Sequence, residues 1–280
     1  MTPSLLVTPR RMERTIMSAR TLPEATFART VLGSGPGLVL AHGAGSSANN
    51  TYGPILEGLA AHHTVVAVDY PGSGETPRST TPLDIDEVAD QLVAAAFAEG
   101  LETFALHGYS LGGPIAIRAA ARHPERVTAL VLSATMAHPN NQQILTVKVW
   151  GKLAATGDRR LVSEFLFPHA LSPQAIEAMP AEQLEEAITY AAAEVADGTV
   201  EHADLVSRID VRDDLAALRV PTLVISTTAD HLAPPALHRH LADTIPGAQL
   251  AEIPTGHLPM VERPEEWQKL ITDFLARHRA

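Results

Sequence analysis

The chain contains no cysteine. Disulfides, thiolate metal sites and a cysteine nucleophile are therefore excluded. Positive charge is in deficit, with 21 Lys and Arg against 32 Asp and Glu and a formal net charge of −11. Nucleic acid and anionic membranes both need basic surface, so neither is expected as a partner. Long apolar runs are missing as well. Leu5-Leu6-Val7 is too short for a signal-peptide core or a membrane span, and no apolar stretch follows Arg10, Arg11, Arg14 and Arg20. A cytoplasmic location is the expectation. No Gly-x-Gly-x-x-Gly opens the chain and no P-loop lysine appears, so no nucleotide cofactor is implied. No metal site or other cofactor is expected either. Residues 1–20 carry no clear pattern and are expected to be a disordered leader, with Met17 as an alternative start.

What is present is an apolar fraction of 45% over 280 residues, enough for one α/β domain with an insertion. Short continuous apolar runs, the mark of strands buried on both faces, occur at Leu38–Ala41, Thr64–Val68, Thr103–Leu106 and Val127–Leu132. Thr26–Leu32 alternates as an earlier, partly exposed strand. Helical patterns follow at Gly53–Ala61, at 84–98 with an acidic first turn, and at Pro114–Arg122. This alternation predicts a mostly parallel sheet flanked by helices. Ligand sites in such sheets lie beyond the carboxyl ends of the strands. The rhythm breaks over residues 136–219, where amphipathic helical patterns predominate: Ile144–Ala155, Leu161–Phe167, Glu182–Val195 and Leu205–Leu218. We therefore expect a core of residues 21–135 and 220–280 with a helical cap over 136–219. The core resumes with strands at Val220–Ser226 and Ala248–Ile253 and helices at Pro235–Thr244 and Glu265–Arg277.

One stretch organises the rest: Leu106-His107-Gly108-Tyr109-Ser110-Leu111-Gly112-Gly113. A strand leads in and a small-residue helix leads out, so Gly-x-Ser-x-Gly stands in the context of a nucleophile elbow. Gly108 and Gly112 let strand and helix approach without a Cβ clash. A serine hydroxyl is a weak nucleophile and needs a base held by an acid. His257 follows the last strand, and Asp230 lies in the loop after the strand before it. The loop after Leu132, Ser133-Ala-Thr135, offers no alternative acid. Asp69 also ends a strand, but it precedes a Pro-Gly turn and is read as ordering that loop.

Leu-Ala-His42-Gly43, Asp69-Tyr-Pro-Gly-Ser-Gly74, Gly-Tyr-Ser110-Leu-Gly-Gly, Pro-Thr-Leu-Val-Ile-Ser-Thr-Thr-Ala-Asp230 and Thr-Gly-His257 occur in this order. Together they resemble the α/β-hydrolase superfamily, from about Thr26 to the C-terminus. The resemblance implies an α/β-hydrolase fold with a helical cap inserted after the sixth strand. It assigns Ser110, Asp230 and His257 as a catalytic triad, and the N–H groups of Ala44 and Leu111 as the oxyanion hole. Serine at the nucleophile position argues against dehalogenase and epoxide hydrolase relatives. The implied activity is serine hydrolysis of a carboxylic ester, lactone or thioester of a small to medium, largely hydrophobic substrate. Alternatives are C–C bond hydrolysis, acyl transfer or perhydrolysis with the same triad, or a non-catalytic ligand-binding protein. The expected partner is a small molecule, and the oligomeric state is open between monomer and homodimer.

Other residues carry weaker readings. His42 is expected to shape the oxyanion loop and to contact substrate, with service as a second base as the alternative, and Tyr109 to lie beside the nucleophile as a pocket residue. Trp150 divides evenly between pocket wall and cap-core packing. His107 is expected to pack beside its strand, while His62, His63, His238 and His240 read as surface residues. The excess of arginine over lysine and the abundant alanine point to a high-GC bacterium.

Overall fold

Short β-branched and apolar runs alternate with amphipathic ones across residues 22–278, the part of the chain that the computed structural model describes. The leader expected over 1–20, and Met17 within it, lie outside the described residues. The elements begin with β1 (Arg29–Leu32), β2 (Gly37–Ala41), α1 (Ala48–Ala60), β3 (Thr64–Val68) and α2 (Ile85–Ala98). They continue with β4 (Phe104–Tyr109), α3 (Gly112–Arg122) and β5 (Val127–Ser133). Six helices follow: α4 (Asn141–Ala154), α5 (Arg159–Ala170), α6 (Pro173–Glu177), α7 (Ala181–Ala193), α8 (Thr199–Arg208) and α9 (Arg212–Leu215). The chain then returns through β6 (Thr222–Thr227), α10 (Pro235–Thr244), β7 (Gln249–Ile253), α11 (Pro259–Glu262) and α12 (Pro264–Arg277).

The sheet runs in the order β1-β3-β2-β4-β5-β6-β7. Among the described residues only β1 is antiparallel to its neighbour. Period-two alternation divides the core into two layers. From β2, Val39 and Ala41 face the cluster holding Val88, Leu92 and Ile115 of α2 and α3. Leu38 and Leu40 face Tyr52, Ile55, Trp267 and Phe274 of α1 and α12. Each such fully buried large side chain stabilises the fold by roughly 1.5–3 kcal/mol. The Trp267 indole N–H donates to the Ser133 hydroxyl at 3.0 Å, which meets Nε2 of His107 at 2.9 Å. His107 thus packs beside its strand, fully buried, and burial pushes its pKa down to about 3.

Several boundaries differ from expectation for local physical reasons. The helical insertion leaves the sheet after Val127–Ser133, which is the fifth strand in chain order among the described residues rather than the sixth. Residues 22–28 form no strand; Thr26 is instead held by Gln91 of α2 through its N–H at 2.9 Å. Helix α1 starts at Ala48, not Gly53, because Ser47 caps it by accepting the Asn50 N–H. The run expected over Leu205–Leu218 is two helices. Ile209 is extended between them, and Ile209 and Val211 are buried. The Val211 N–H donates to Ala137 at 3.0 Å. His63 and His238 are buried, contrary to the surface reading, and His62 and His240 are exposed. His238 meets the Ser226 hydroxyl at 3.1 Å, and burial pushes its pKa down to about 4. No helix among the described residues is long and apolar enough to cross a membrane.

Candidate active site

The turn between β4 and α3 needs a left-handed residue, and Ser110 supplies it with φ of 52°. Such a conformation at a non-glycine residue is strained and is retained only where the surroundings enforce it. Here the Ser110 N–H donates to Ser133 O at 3.0 Å, and the Thr135 hydroxyl donates to Ser110 O at 2.6 Å. A side chain at Gly112 would collide with the Ala41 carbonyl. Leu111 occupies the cap of α3 with no side-chain hydrogen bond. The positive end of an 11-residue helix therefore adjoins the serine.

Three loops converge on that serine. Nε2 of His257 lies 2.9 Å from Ser110 Oγ, and Nδ1 lies 2.7 Å from Asp230 Oδ2. A carboxylate only accepts, so Nδ1 carries the proton and Nε2 is free to accept the serine hydroxyl proton. The Asp230 carboxylate is fully buried. Its Oδ1 accepts the N–H groups of Leu232 and Ala233, both at 2.8 Å, and Oδ2 also accepts the Thr227 hydroxyl at 2.8 Å. Tyr109 donates its hydroxyl to the His257 carbonyl at 2.8 Å, so it positions the histidine backbone as well as lining the cavity. Glu262 ties the same loop to the insertion. It accepts Gly256 N–H at 2.9 Å, Ser172 N–H at 3.0 Å and the Ser172 hydroxyl at 2.6 Å.

The loop after β2 also approaches Ser110, where a Cβ on Gly43 would stand 3.3 Å from the Ser110 Cβ. His42 is fully buried, and burial pushes its pKa down to about 4. Tyr70 N–H, a donor only, lies 3.2 Å from Nε2. Nδ1 therefore holds the proton and donates to Gly43 O at 2.7 Å. Gly43 C=O and Ala44 N–H belong to one trans peptide and point in opposite directions. By holding the carbonyl, His42 sets the direction of the Ala44 N–H. Asp69 orders the adjacent loop by accepting Ala48 N–H at 2.7 Å. Burial raises its carboxyl pKa, partly offset by that hydrogen bond.

These loops and the insertion enclose a cavity of about 350 Å³, lined by Ser110, His257 and Ala44 from the core and by Met136, Val147 and Phe167 above them. Its wall is mainly apolar, as small-molecule pockets usually are. Trp150 stands between the cavity and the core. It lines the cavity and packs in the core, 7% exposed. Its ring edge lies 2.5 Å from where a Gly45 Cβ would stand. Sequence reading missed Glu262, Gln143 and His202. Gln143 is a buried cavity residue on α4, and His202 on α8 contacts Gly45 and Pro71. A lone histidine in the exposed-looking run Glu-His-Ala-Asp carries no local mark of such a role. Among the described residues no group of three or more His, Asp or Glu side chains could hold a metal ion.

A family model described as alpha/beta hydrolase fold matches residues 36–264. The chain is 34% identical over 254 residues to pyrrolizixenacetamide deacetylase of Xenorhabdus hominickii, covering 90% of this chain and 95% of that one. It is 30% identical over 253 residues to a pimeloyl-[acyl-carrier protein] methyl ester esterase of Xanthomonas campestris, with 88% and 97% covered. Among solved structures, a thermophilic esterase from Thermogutta terrifontis superposes with a TM-score of 0.80 at 26% identity, over 91% of this chain and 94% of that one. The enol-lactonase from Burkholderia xenovorans LB400 superposes equally well at 22% identity, over 89% and 96%, a likeness of fold. With a serine elbow, a mostly parallel sheet carrying a helical insertion and a family match over most of its length, this chain belongs to the α/β-hydrolase fold family.

Proposed function

We propose that this protein is a serine hydrolase that cleaves a carboxylic ester, lactone or thioester of a small to medium, largely apolar acyl compound. The observation that carries the reading is the continuous chain Ser110 Oγ, His257 Nε2, His257 Nδ1, Asp230 Oδ2, at 2.9 and 2.7 Å, opening into an apolar cavity. Ser110 Oγ attacks the substrate carbonyl while His257 takes its proton. Asp230 holds the imidazole in the required tautomer and stabilises its charge. The N–H groups of Leu111 and Ala44 receive the oxyanion, a contribution of several kcal/mol when both are aligned. Collapse expels the alcohol or thiol, protonated by His257, and leaves an acyl-Ser110 ester. Water, deprotonated by His257, then releases the acid and restores the serine. We place this chemistry in the cytoplasm, with a small molecule as the partner.

The same sequence of steps serves an N-acetyl amide if His257 protonates the departing amine. The similarity to a protein named as a deacetylase, at 34% identity, favours including that substrate class in the test. The experiment is a p-nitrophenyl ester series of increasing acyl length, with an N-acetyl anilide beside it, on the wild type and Ser110→Ala. A fluorophosphonate probe is applied to both. We expect labelling and turnover in the wild type and neither in the variant. Ser110→Ala turning over at the wild-type rate would refute the assignment.

A further inference from the structure

The insertion does more than roof the cavity. Nδ1 of His202 lies 3.0 Å from the Gly45 N, and Nε2 lies 3.0 Å from Pro71 O. Gly45 N–H can only donate, so Nδ1 accepts; Nε2 then carries the proton and donates to Pro71 O. Neither partner leaves freedom in the tautomer. The ring is completely buried and stands edge-on to His42 and Tyr70, each 6.3 Å away. Burial pushes its pKa down to about 4, with the neighbouring His42 adding to the shift.

The hydrogen bonds around His202 extend this grip. Ala196 N–H donates to Gly45 O at 3.1 Å, and Gly198 N–H donates to Gly72 O at 2.9 Å. Gly45 is thus held at its N–H by His202 of α8 and at its carbonyl by Ala196 in the segment leading into that helix. It has φ of 67°, in the left-handed region, and the Trp150 ring leaves no room for a side chain there. Gly45 is the residue immediately after Ala44. The Gly43–Ala44 peptide is aimed by His42, and the Ala44–Gly45 peptide is aimed by His202. Two neutral histidines, one from the core and one from the insertion, hold successive peptides of a single loop.

We propose that His202 is a positioning residue for the oxyanion hole, acting through Gly45 on the direction of the Ala44 N–H. The inserted helices then take part in transition-state stabilisation as well as in shaping the cavity. This rests on the reading of Ser110 as nucleophile and Ala44 N–H as oxyanion donor. Loss of an oxyanion donor lowers kcat by about 10²–10³-fold in other serine hydrolases. Misaiming one rather than removing it lowers kcat by roughly 10-fold or more, with KM little changed, because the donor meets its partner fully only in the transition state.

Two isosteric replacements separate positioning from packing. His202→Asn places an amide oxygen where Nδ1 stands and keeps an acceptor for Gly45 N–H. His202→Gln reaches the Nε2 position, keeps the donor to Pro71 O and leaves Gly45 without its acceptor. The measurements are kcat and KM on a p-nitrophenyl ester, the inhibition constant of a trifluoromethyl ketone that forms a hemiketal oxyanion on serine, and Tm. We expect Gln to lower kcat and weaken the trifluoromethyl ketone in parallel, and Asn to recover most of both, while Tm does not follow that order. Equal losses in Asn and Gln, or kcat losses that simply track Tm, would overturn the proposal. Wild-type protein that fluorophosphonate does not label would instead overturn the underlying assignment of Ser110. Labelling with kcat unaltered in both variants would overturn the role of His202 alone.

Discussion

The Asp230 carboxylate accepts the His257 Nδ1–H at 2.7 Å with both of its oxygens otherwise occupied, two backbone N–H groups on Oδ1 and the Thr227 hydroxyl on Oδ2. A carboxylate so fixed can neither rotate nor present a proton to the imidazole. Asp230→Asn replaces an obligate acceptor with an amide that can donate. The imidazole is then free to turn its unprotonated nitrogen towards residue 230, leaving a proton facing Ser110. We expect kcat to fall by about 10³–10⁴-fold, with the fold retained. Steady-state kinetics beside a circular dichroism melt check this. A fall of less than about 10-fold in a folded variant would contradict the role of Asp230.

Four buried histidines make stability depend on pH. His42, His202 and His238 are pushed down to about 4 and His107 to about 3, from an ordinary value of 6.5, in each case chiefly by burial. Between pH 6.5 and 4 the unfolded chain therefore binds more protons than the folded one. Stability from this source is full above 6.5 and is lost as pH falls through that window. Each histidine contributes a slope approaching ~1.4 kcal/mol per pH unit once the unfolded form is mostly protonated. Carboxylate pairs act lower: Asp210, held at about 2 by Arg212, loses its contribution only as pH falls below the ordinary 3.8. We expect Tm to decline already between pH 6.5 and 5, as a melt series in matched ionic strength can check. A Tm flat across that interval would show that these imidazoles are protonated in the fold.

The elements that were legible in the chain are those whose signal is local. The buried strands β2 to β5 are short apolar runs, and Gly108 and Gly112 mark the elbow because a side chain at Gly108 would collide with the backbone of Gly112 and one at Gly112 with the Ala41 carbonyl. Ser110, Asp230 and His257 each follow a strand, and a parallel sheet collects such ends on one edge. What was not legible depends on partners far away in sequence. His238 and His240 sit two apart on α10, yet one is buried against Ser226 and the other is exposed. His202 reaches Gly45 across 157 residues, so nothing near it in the chain could announce the contact. The start of α1 was missed for a different reason. Ser46-Ser-Ala-Asn-Asn50 is a polar run without helical periodicity, but Ser47 supplies the cap.

The inner face of α4 carries a buried amide that is only partly satisfied. Gln143 is 5% exposed and lines the cavity; among the described residues its amide nitrogen meets only the Met136 sulfur, at 3.8 Å, and its Oε1 has no partner. A buried acceptor left unpaired costs about 1–3 kcal/mol relative to one that is paired or removed. Leucine has nearly the same shape without the polar atoms, so Gln143→Leu is expected to raise Tm. At roughly 2–4 °C per kcal/mol for a domain near this size, a rise of a few degrees is measurable by scanning calorimetry. The same substitution makes the wall wholly apolar at that point. KM for p-nitrophenyl esters with plain alkyl chains should then fall. KM for esters carrying an amide or hydroxyl in the acyl chain should rise, because a site built to pair a polar group rejects substrates differently once the pairing atom is gone. A lower Tm in Gln143→Leu would mean that the amide is paired in solution. An unchanged ratio of the two KM values would mean that Gln143 does not face the substrate.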